Sequence, residues 1–390
     1  MQSLSDATLR FGEQLASITL GIDVLYRAEP SVADDTDGLA VINMGWEQIT
    51  RLTDYREARE RLAELAKLSF SLPEPDRRLY MLQACLSLDS FCAFRLGQLP
   101  SLETQVGMFL HVDNAPVTVA ELDEMCGSLR VLLTQLGYSG DLAEQARQWE
   151  EKNRVPADEV AGEMNRLMAV ARERCGEILE LPDALYSCEV QKGGAFSARS
   201  EYDRLCVLVN IEPTYTLPAL KHLVCHEVYP GHYLQFTYRK ELNKKGFASA
   251  DGLLSVVNHA SSATFEGIAD MGVHFLDWEE SDDDRVSKLL SEIKSATGTA
   301  CASQLHTLGW SKERILAWLR PYMLVGGEGA LRSRMRFIED PARAALIWSY
   351  WRGDQETERV YQRVEKSDLP RFYDYIYGRL HTPASMQLFR

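Results

Sequence analysis

His226-Glu227-Val228-Tyr229-Pro230-Gly231-His232 lies inside an apolar-periodic segment that begins near Leu217 and runs to about Lys240. The periodicity predicts a helix, whereas Pro-Gly in its centre opposes one, so the reading of this stretch decides how the chain is built. It resembles a stretched H-E-x-x-H, in which two imidazoles at i and i+4 share a helix face and bind zinc while the Glu between them acts as general base. The second His here lies at i+6, and at about 100° per residue an ideal helix would put it about 120° away from the first. A straight helix therefore fails. Pro230 cannot donate a hydrogen bond to the His226 carbonyl and Gly231 tolerates unusual dihedrals, so a local distortion there would swing His232 back toward His226.

A catalytic zinc takes three protein ligands and keeps a fourth position for water. The candidate third ligand is Glu266, in Ser261-Ser262-Ala263-Thr264-Phe265-Glu266-Gly267-Ile268-Ala269-Asp270. Its neighbours Phe265, Ile268 and Ala269 are apolar, and a carboxylate among them needs a partner. A metal is one such partner; an arginine or a turn N–H is the alternative. Asp270, one turn further on, is either a competing ligand or the group that holds a ligand histidine. His222 precedes His226 by one turn and is a candidate for the same supporting role.

Outward from this centre the periodicity is helical. Residues 53–71 and 76–96 predict two helices separated by Leu72-Pro73-Glu74-Pro75, and Thr118-x-x-Glu121 has the capping-box pattern before another. Residues 140–152 and 157–181 continue the theme across Asn153-Arg154-Val155-Pro156. The best strand is Leu205–Ile211, and 185–191 is expected to pair with it across Gly193-Gly194-Ala195-Phe196-Ser197. After Pro218 the chain is helical, with breaks near Trp310-Ser311, Gly326-Gly327, Pro341 and Pro370. The expected class is mainly α, with a small β-sheet next to the active-site helix. The expected organisation is an amino-terminal helical region, 1–115, and a catalytic region, 116–390.

The 390 residues are 45% hydrophobic and 25% charged, enough for a sizeable core. Lys and Arg number 42 against 57 Asp and Glu, and the net charge of −15 argues against nucleic acid or an anionic membrane as partner. A small peptide or amide-containing metabolite is the expected partner, and a homodimer is compatible with the sequence. Met1-Gln2-Ser3-Leu4-Ser5-Asp6 lacks the features of a secretory signal and no apolar run is long enough to span a bilayer, so a cytoplasmic location is expected. The eight cysteines have no C-x-x-C spacing and read as reduced core residues, Cys225 included. The acidic run Glu279–Asp284 lacks the ligand alternation of a calcium loop and reads as a solvated helix start. Gly326-Gly327-Glu328-Gly329 lacks the strand and Lys of a phosphate loop.

His226-Glu227-x-x-Pro230-Gly231-His232-x-Leu234-Gln235, followed by Glu266-Gly267-x-Ala269, resembles the bacterial metallopeptidase-like family called domain of unknown function 885. The likeness extends over roughly residues 120–390, through Asn210, Leu305-His306-x-x-Gly309-Trp310-Ser311, Arg336 and Tyr350-x-x-Gly353. The resemblance implies a helical zincin-like fold, zinc on His226, His232 and Glu266, and Glu227 as base. It offers His306 or Tyr350 as the second donor to an oxyanion. Strand 205–211 would then pair with an extended substrate, Asn210 fixing its end, and Arg336 would bind a substrate carboxylate, although the run Arg332-x-Arg334-x-Arg336 leaves open which of the three arginines faces the pocket. The chain departs from the family at Ile268 and Met271, where Trp and Tyr are usual, at Ala302 in place of Asp, and between Pro341 and Tyr350. The function expected is therefore a zinc-dependent hydrolase of metallopeptidase type cleaving an amide in a small substrate. The altered segments also fit a zinc enzyme of specialised metabolism acting on a non-peptide metabolite. A catalytically inactive helical binding protein is the third reading.

Overall fold

The computed structural model describes residues 3–29, 39–193, 198–340 and 343–390. The stretch 194–197 and Pro341, both used above, lie outside them. In chain order the elements are α1 (Asp6–Arg27), β1 (Ala40–Asn43), α2 (Tyr55–Ser69), α3 (Pro75–Arg95), α4 (Leu102–Leu110), α5 (Val119–Gln135), α6 (Leu142–Asn153), β2 (Arg154–Val155) and α7 (Val160–Gly176). Next come β3 (Ser187–Gln191), β4 (Ala198–Glu201), β5 (Cys206–Asn210), β6 (Tyr215–Thr216), α8 (Leu217–Glu227), α9 (His232–Lys244), β7 (Leu254–Val256), α10 (Ser262–Asp270) and α11 (Gly272–Phe275). The chain ends with α12 (Asp282–His306), α13 (Lys312–Leu319), α14 (Gly327–Glu339), α15 (Ile347–Tyr361), α16 (Leu369–Gly378) and α17 (Pro383–Met386). The protein is mainly α with small sheets, and no described helix is long and apolar enough to cross a membrane.

The helix starts follow their local chemistry. Asp54 accepts the backbone N–H groups of Arg56 and Glu57, Pro75 opens α3 where no N–H is needed, and Thr118 and Glu121 close a reciprocal capping box on α5. Asp282, Asp283 and Asp284 of the acidic run form the first turn of α12, where Ser281 and Asp284 cap each other. Asp284 is also buried against Lys221, whose Nζ donates to its carboxylate at 2.9 Å and ties α8 to the start of α12.

Two compact units divide the chain. One comprises residues 1–114, 235–268 and 352–390, the other 115–234 and 269–351. A change of unit thus falls beside the expected boundary at 115/116, but the segments 235–268 and 352–390 go with the amino-terminal helices. The divisions fall inside α9, α10 and α15, each an unbroken helix. In the first unit β1 and β7 form an antiparallel ribbon beside Ala16 and Leu20. Fully buried Arg77 donates to the Leu380 carbonyl at 2.6 Å, joining α3 to the carboxy-terminal segment. In the second unit Leu129, Leu132, Leu133, Trp149, Leu290 and Ile293 form one core from α5, α6 and α12.

The second unit also carries the three-stranded sheet, in the order β3-β5-β4. The pairing of 185–191 with 205–211 is present but parallel, Cys188 opposite Val207, because β4 lies between them in sequence and returns antiparallel on the far side of β5. β5 is consequently hydrogen-bonded on both edges and buried throughout, which corrects the expectation that it would pair with an extended substrate.

Candidate metal centre

α8 ends at Glu227 and α9 begins at His232, so the motif occupies the end of one helix, a four-residue turn and the start of a second helix. The distortion anticipated at Pro230-Gly231 is thus a complete break, and the Tyr229–Pro230 peptide is cis. Its tightness demands Gly231. A Cβ there would stand 1.7 Å from the His226 carbonyl oxygen and 2.4 Å from that of Cys225. This close approach brings the His226 and His232 rings to 4.6 Å between centroids, nearly edge to face.

Glu266 reaches the same place from α10. Gln235 Nε2 in the first turn of α9 donates to the Phe265 carbonyl at 3.0 Å, and the Phe236 and Phe265 rings pack at 5.2 Å, holding the two helices together beside His232 and Glu266. One ligand atom from each of His226, His232 and Glu266 lies within 4.8 Å of the others. Gly267 and Gly353 explain the small residues of the two later motifs. A Cβ on either would lie about 2 Å from a carbonyl oxygen of the opposite helix, Gly353 or Ala263, so α10 and α15 touch through backbone.

Asp270 supports the cluster from the carboxy-terminal end of α10. His226 Nδ1 lies 2.7 Å from Asp270 Oδ1, with the carboxylate as acceptor, which fixes the tautomer and leaves Nε2 for a metal. His222 Nε2 approaches the same oxygen at 3.3 Å. Burial alone would raise the Asp270 carboxyl, but the His226 and His222 imidazoles hold it well below the usual carboxylate range. His222, His226 and Asp270 also form a compact potential ligand group. That group would spend the Nδ1 and carboxylate already bonded to each other, whereas the His226, His232 and Glu266 set leaves that bond intact and matches the two-His, one-Glu pattern of catalytic zinc. For a metal ion held by His226, His232 and Glu266, removing Asp270's charge by Asp270→Asn should weaken binding about 10–100-fold, measured by chelator competition with added zinc, with the fold retained.

Glu227 follows His226 directly. Ser200 Oγ on β4 lies 3.2 Å from Glu227 Oε2 and 3.3 Å from its carbonyl oxygen, so the small sheet orients the candidate base. Neither Ser200 nor the supporting bond from Gln235 was singled out from sequence. β4 is short, polar and preceded by a glycine-containing loop, and nothing in its pattern marks it as a strand.

The remaining candidates fall in different places. Asn210 is buried at 4% exposure, and its Oδ1 accepts the Glu212 N–H at 3.1 Å, capping the turn after β5. His306 is exposed at the end of α12, its Nε2 2.6 Å from the Ile338 carbonyl, a contact that ties α12 to α14. Arg336 is exposed, and the buried member of its run is Arg334. Tyr350 is half-buried on α15 and stands beside Arg334. Cys225 is buried, and burial pushes its thiol far up, as expected for an inert core cysteine.

No family model matches the chain, and no curated protein does. Among solved structures, a protein described as a "putative lipoprotein" from Colwellia psychrerythraea superposes with a TM-score of 0.56 at 14% identity, over 85% of this chain and 68% of that one. A second protein so described, of unknown function, from Shewanella oneidensis gives 0.49 at 17% identity, over 85% and 70%. At such identity the first likeness establishes a shared fold and carries no information on chemistry.

Proposed function

We propose that the chain is a zinc-dependent hydrolase of metallopeptidase type, with a zincin-like helical fold, that cleaves an amide bond in a small peptide or peptide-like substrate. The convergence of His226, His232 and Glu266, with Asp270 on His226 and Glu227 next in the chain, carries this reading. Two histidines and one carboxylate suit zinc. Zinc held there would supply a Lewis acid for the substrate carbonyl and lower the pKa of a water molecule. Glu227 takes the proton of the attacking water and returns it to the leaving amine nitrogen. Ser200 holds the Glu227 carboxylate in place for both transfers. Tyr350 is the donor we assign to the developing oxyanion, since His306 is engaged with a backbone carbonyl. A cytoplasmic location accords with eight unpaired cysteines, seven of them buried.

Metal content tests the reading. Wild type should hold about one equivalent of zinc and His232→Ala almost none, as expected of a three-ligand site that loses one ligand. Dipeptides and acyl amino acids are the substrates to screen first. If wild type takes up no divalent metal after reconstitution, the hydrolase reading falls and a helical binding protein replaces it.

A further inference from the structure

Glu266 stands in the middle of α10, a helix of nine residues, and a helix that short takes its position from what it touches. Three contacts within the first unit hold it. The Phe265 carbonyl accepts from Gln235, Gly267 lies against the backbone of Gly353, and the Thr264 hydroxyl donates to the His381 carbonyl. Thr264 is buried, and its hydroxyl also lies 3.0 Å from the Ser261 carbonyl of its own helix. The bond to His381 leads into a buried polar network that the proposed chemistry leaves unused. Arg77 Nη2, from α3, donates to the Leu380 carbonyl at 2.6 Å and reaches His381 Nδ1 at 3.3 Å. That makes Nδ1 the acceptor and leaves the ring hydrogen on Nε2, 3.0 Å from the Tyr375 carbonyl of α16. Next in the chain, Thr382 Oγ1 donates to Gln83 Oε1 of α3 at 2.6 Å and caps α17, while the Tyr375 hydroxyl donates to the Ser385 carbonyl at 2.7 Å. Residues 380–385 are therefore fastened to α3 on one side and to α16 on the other, and they present the His381 carbonyl to α10.

We propose that the segment 380–385 is a positioning element of the metal centre and that Thr264 is the positioning residue through which it sets where Glu266 stands. Two residues along a helix is about 200° of rotation, so Thr264 and Glu266 leave α10 on nearly opposite faces. The segment thus holds the back of the helix and acts on Glu266 without touching it. A metal site tolerates only about 0.2 Å of error in ligand distance, so a small shift of α10 is felt as affinity. This inference deepens the amide-hydrolase reading and rests on it for Glu266 as a ligand, but not for the hold on α10.

The test compares Thr264→Val, which removes the hydroxyl and leaves the buried His381 carbonyl without its donor, with Thr264→Ser, which keeps the hydroxyl. By chelator competition the valine variant should bind zinc about tenfold more weakly than wild type, and the serine variant as wild type does. The visible absorption of the cobalt-substituted protein, which reports ligand geometry, should change in the valine variant alone. Thr297→Val is the control for lost stability, since Thr297 is a buried threonine of α12 bonded to the Ile293 carbonyl at 2.8 Å, and it should keep wild-type zinc affinity. Zinc affinity unchanged in Thr264→Val, or lowered equally in Thr297→Val, overturns the positioning role. Hydrogen exchange of the metal-free protein tests the hold on α10 by itself: amides 265–270 should exchange about tenfold faster in Thr264→Val than in wild type or Thr264→Ser. Unchanged exchange overturns the hold. If Thr264→Val does not fold, Gln83→Met, which frees Thr382 from α3 at a half-buried position, should move both readouts in the same direction, and no movement overturns the proposal. A wild type that takes up no metal sinks the hydrolase reading, while faster exchange in Thr264→Val leaves the segment's hold on α10 standing.

Discussion

Glu227→Gln should lower turnover about 10²–10⁴-fold, the range that a positioned acid–base group contributes, with zinc content unchanged. At about 1.36 kcal/mol per decade this is roughly 3–5 kcal/mol of transition-state stabilisation. The substitution preserves size and hydrogen-bonding shape. The amide oxygen of Gln can still accept from Ser200, now 3.2 Å from Glu227 Oε2, and the end of α8 has no reason to move. What is lost is the ability to take a proton from water and return it to the amine. Because His226 is held by Asp270 rather than by Glu227, the ligand geometry should survive. Steady-state rates on the best substrate of the screen, with metal analysis on the same samples, separate the alternatives. Turnover that survives in the variant would mean that the metal acts as a Lewis acid without a general base, the mode suited to a non-peptide metabolite. No turnover in wild type on any substrate would point to a binding protein.

The parts of this molecule that follow local rules were legible in its sequence. The helices that begin at Asp54, Pro75 and Thr118 are fixed by caps a few residues away, and the mainly α class follows from their periodicity. Asp270 and His222 were recognisable as supports because they lie one turn from Glu266 and His226 on the same helix faces. Longer-range features were less accessible. The order β3-β5-β4 depends on β4, whose Ala-Arg-Ser-Glu sequence has no strand signal and which gains its conformation from pairing with β5. Arg336 and Arg334 differ by two positions on one helix, about 200° of rotation, and only packing against Gly298 reveals that Arg334 faces inward. His306 looked like a site residue by resemblance, but its ring closes the end of α12 on the Ile338 carbonyl. Gly267 and Gly353 illustrate the same limit, since helix contact through backbone leaves no periodic trace.

Gly231→Ala should abolish zinc binding, though it adds one methyl group outside the ligand set. The new Cβ would be 1.7 Å from the His226 carbonyl oxygen and 2.3 Å from its carbonyl carbon, where real Cβ contacts below 3.0 Å are essentially never found. The obstacle is backbone on both sides, with no flexible side chain to step aside, so the turn must open by more than an ångström. His232 is the next residue and His226 supplies the obstructing carbonyl, so opening the turn separates the two imidazoles that now lie 4.6 Å apart. Metal sites tolerate displacements of only about 0.2 Å in ligand distance, so zinc content should fall from about one equivalent to near zero. Gly162→Ala is the matched control: it lies in α7 with no heavy atom within 4 Å of the added carbon, and should keep its zinc while gaining about 0.5–1 kcal/mol of helix stability. If Gly231→Ala binds zinc as tightly as wild type, His232 is not a ligand. The metal would then belong to His222, His226 and Asp270, the one alternative group of described residues that does without the turn.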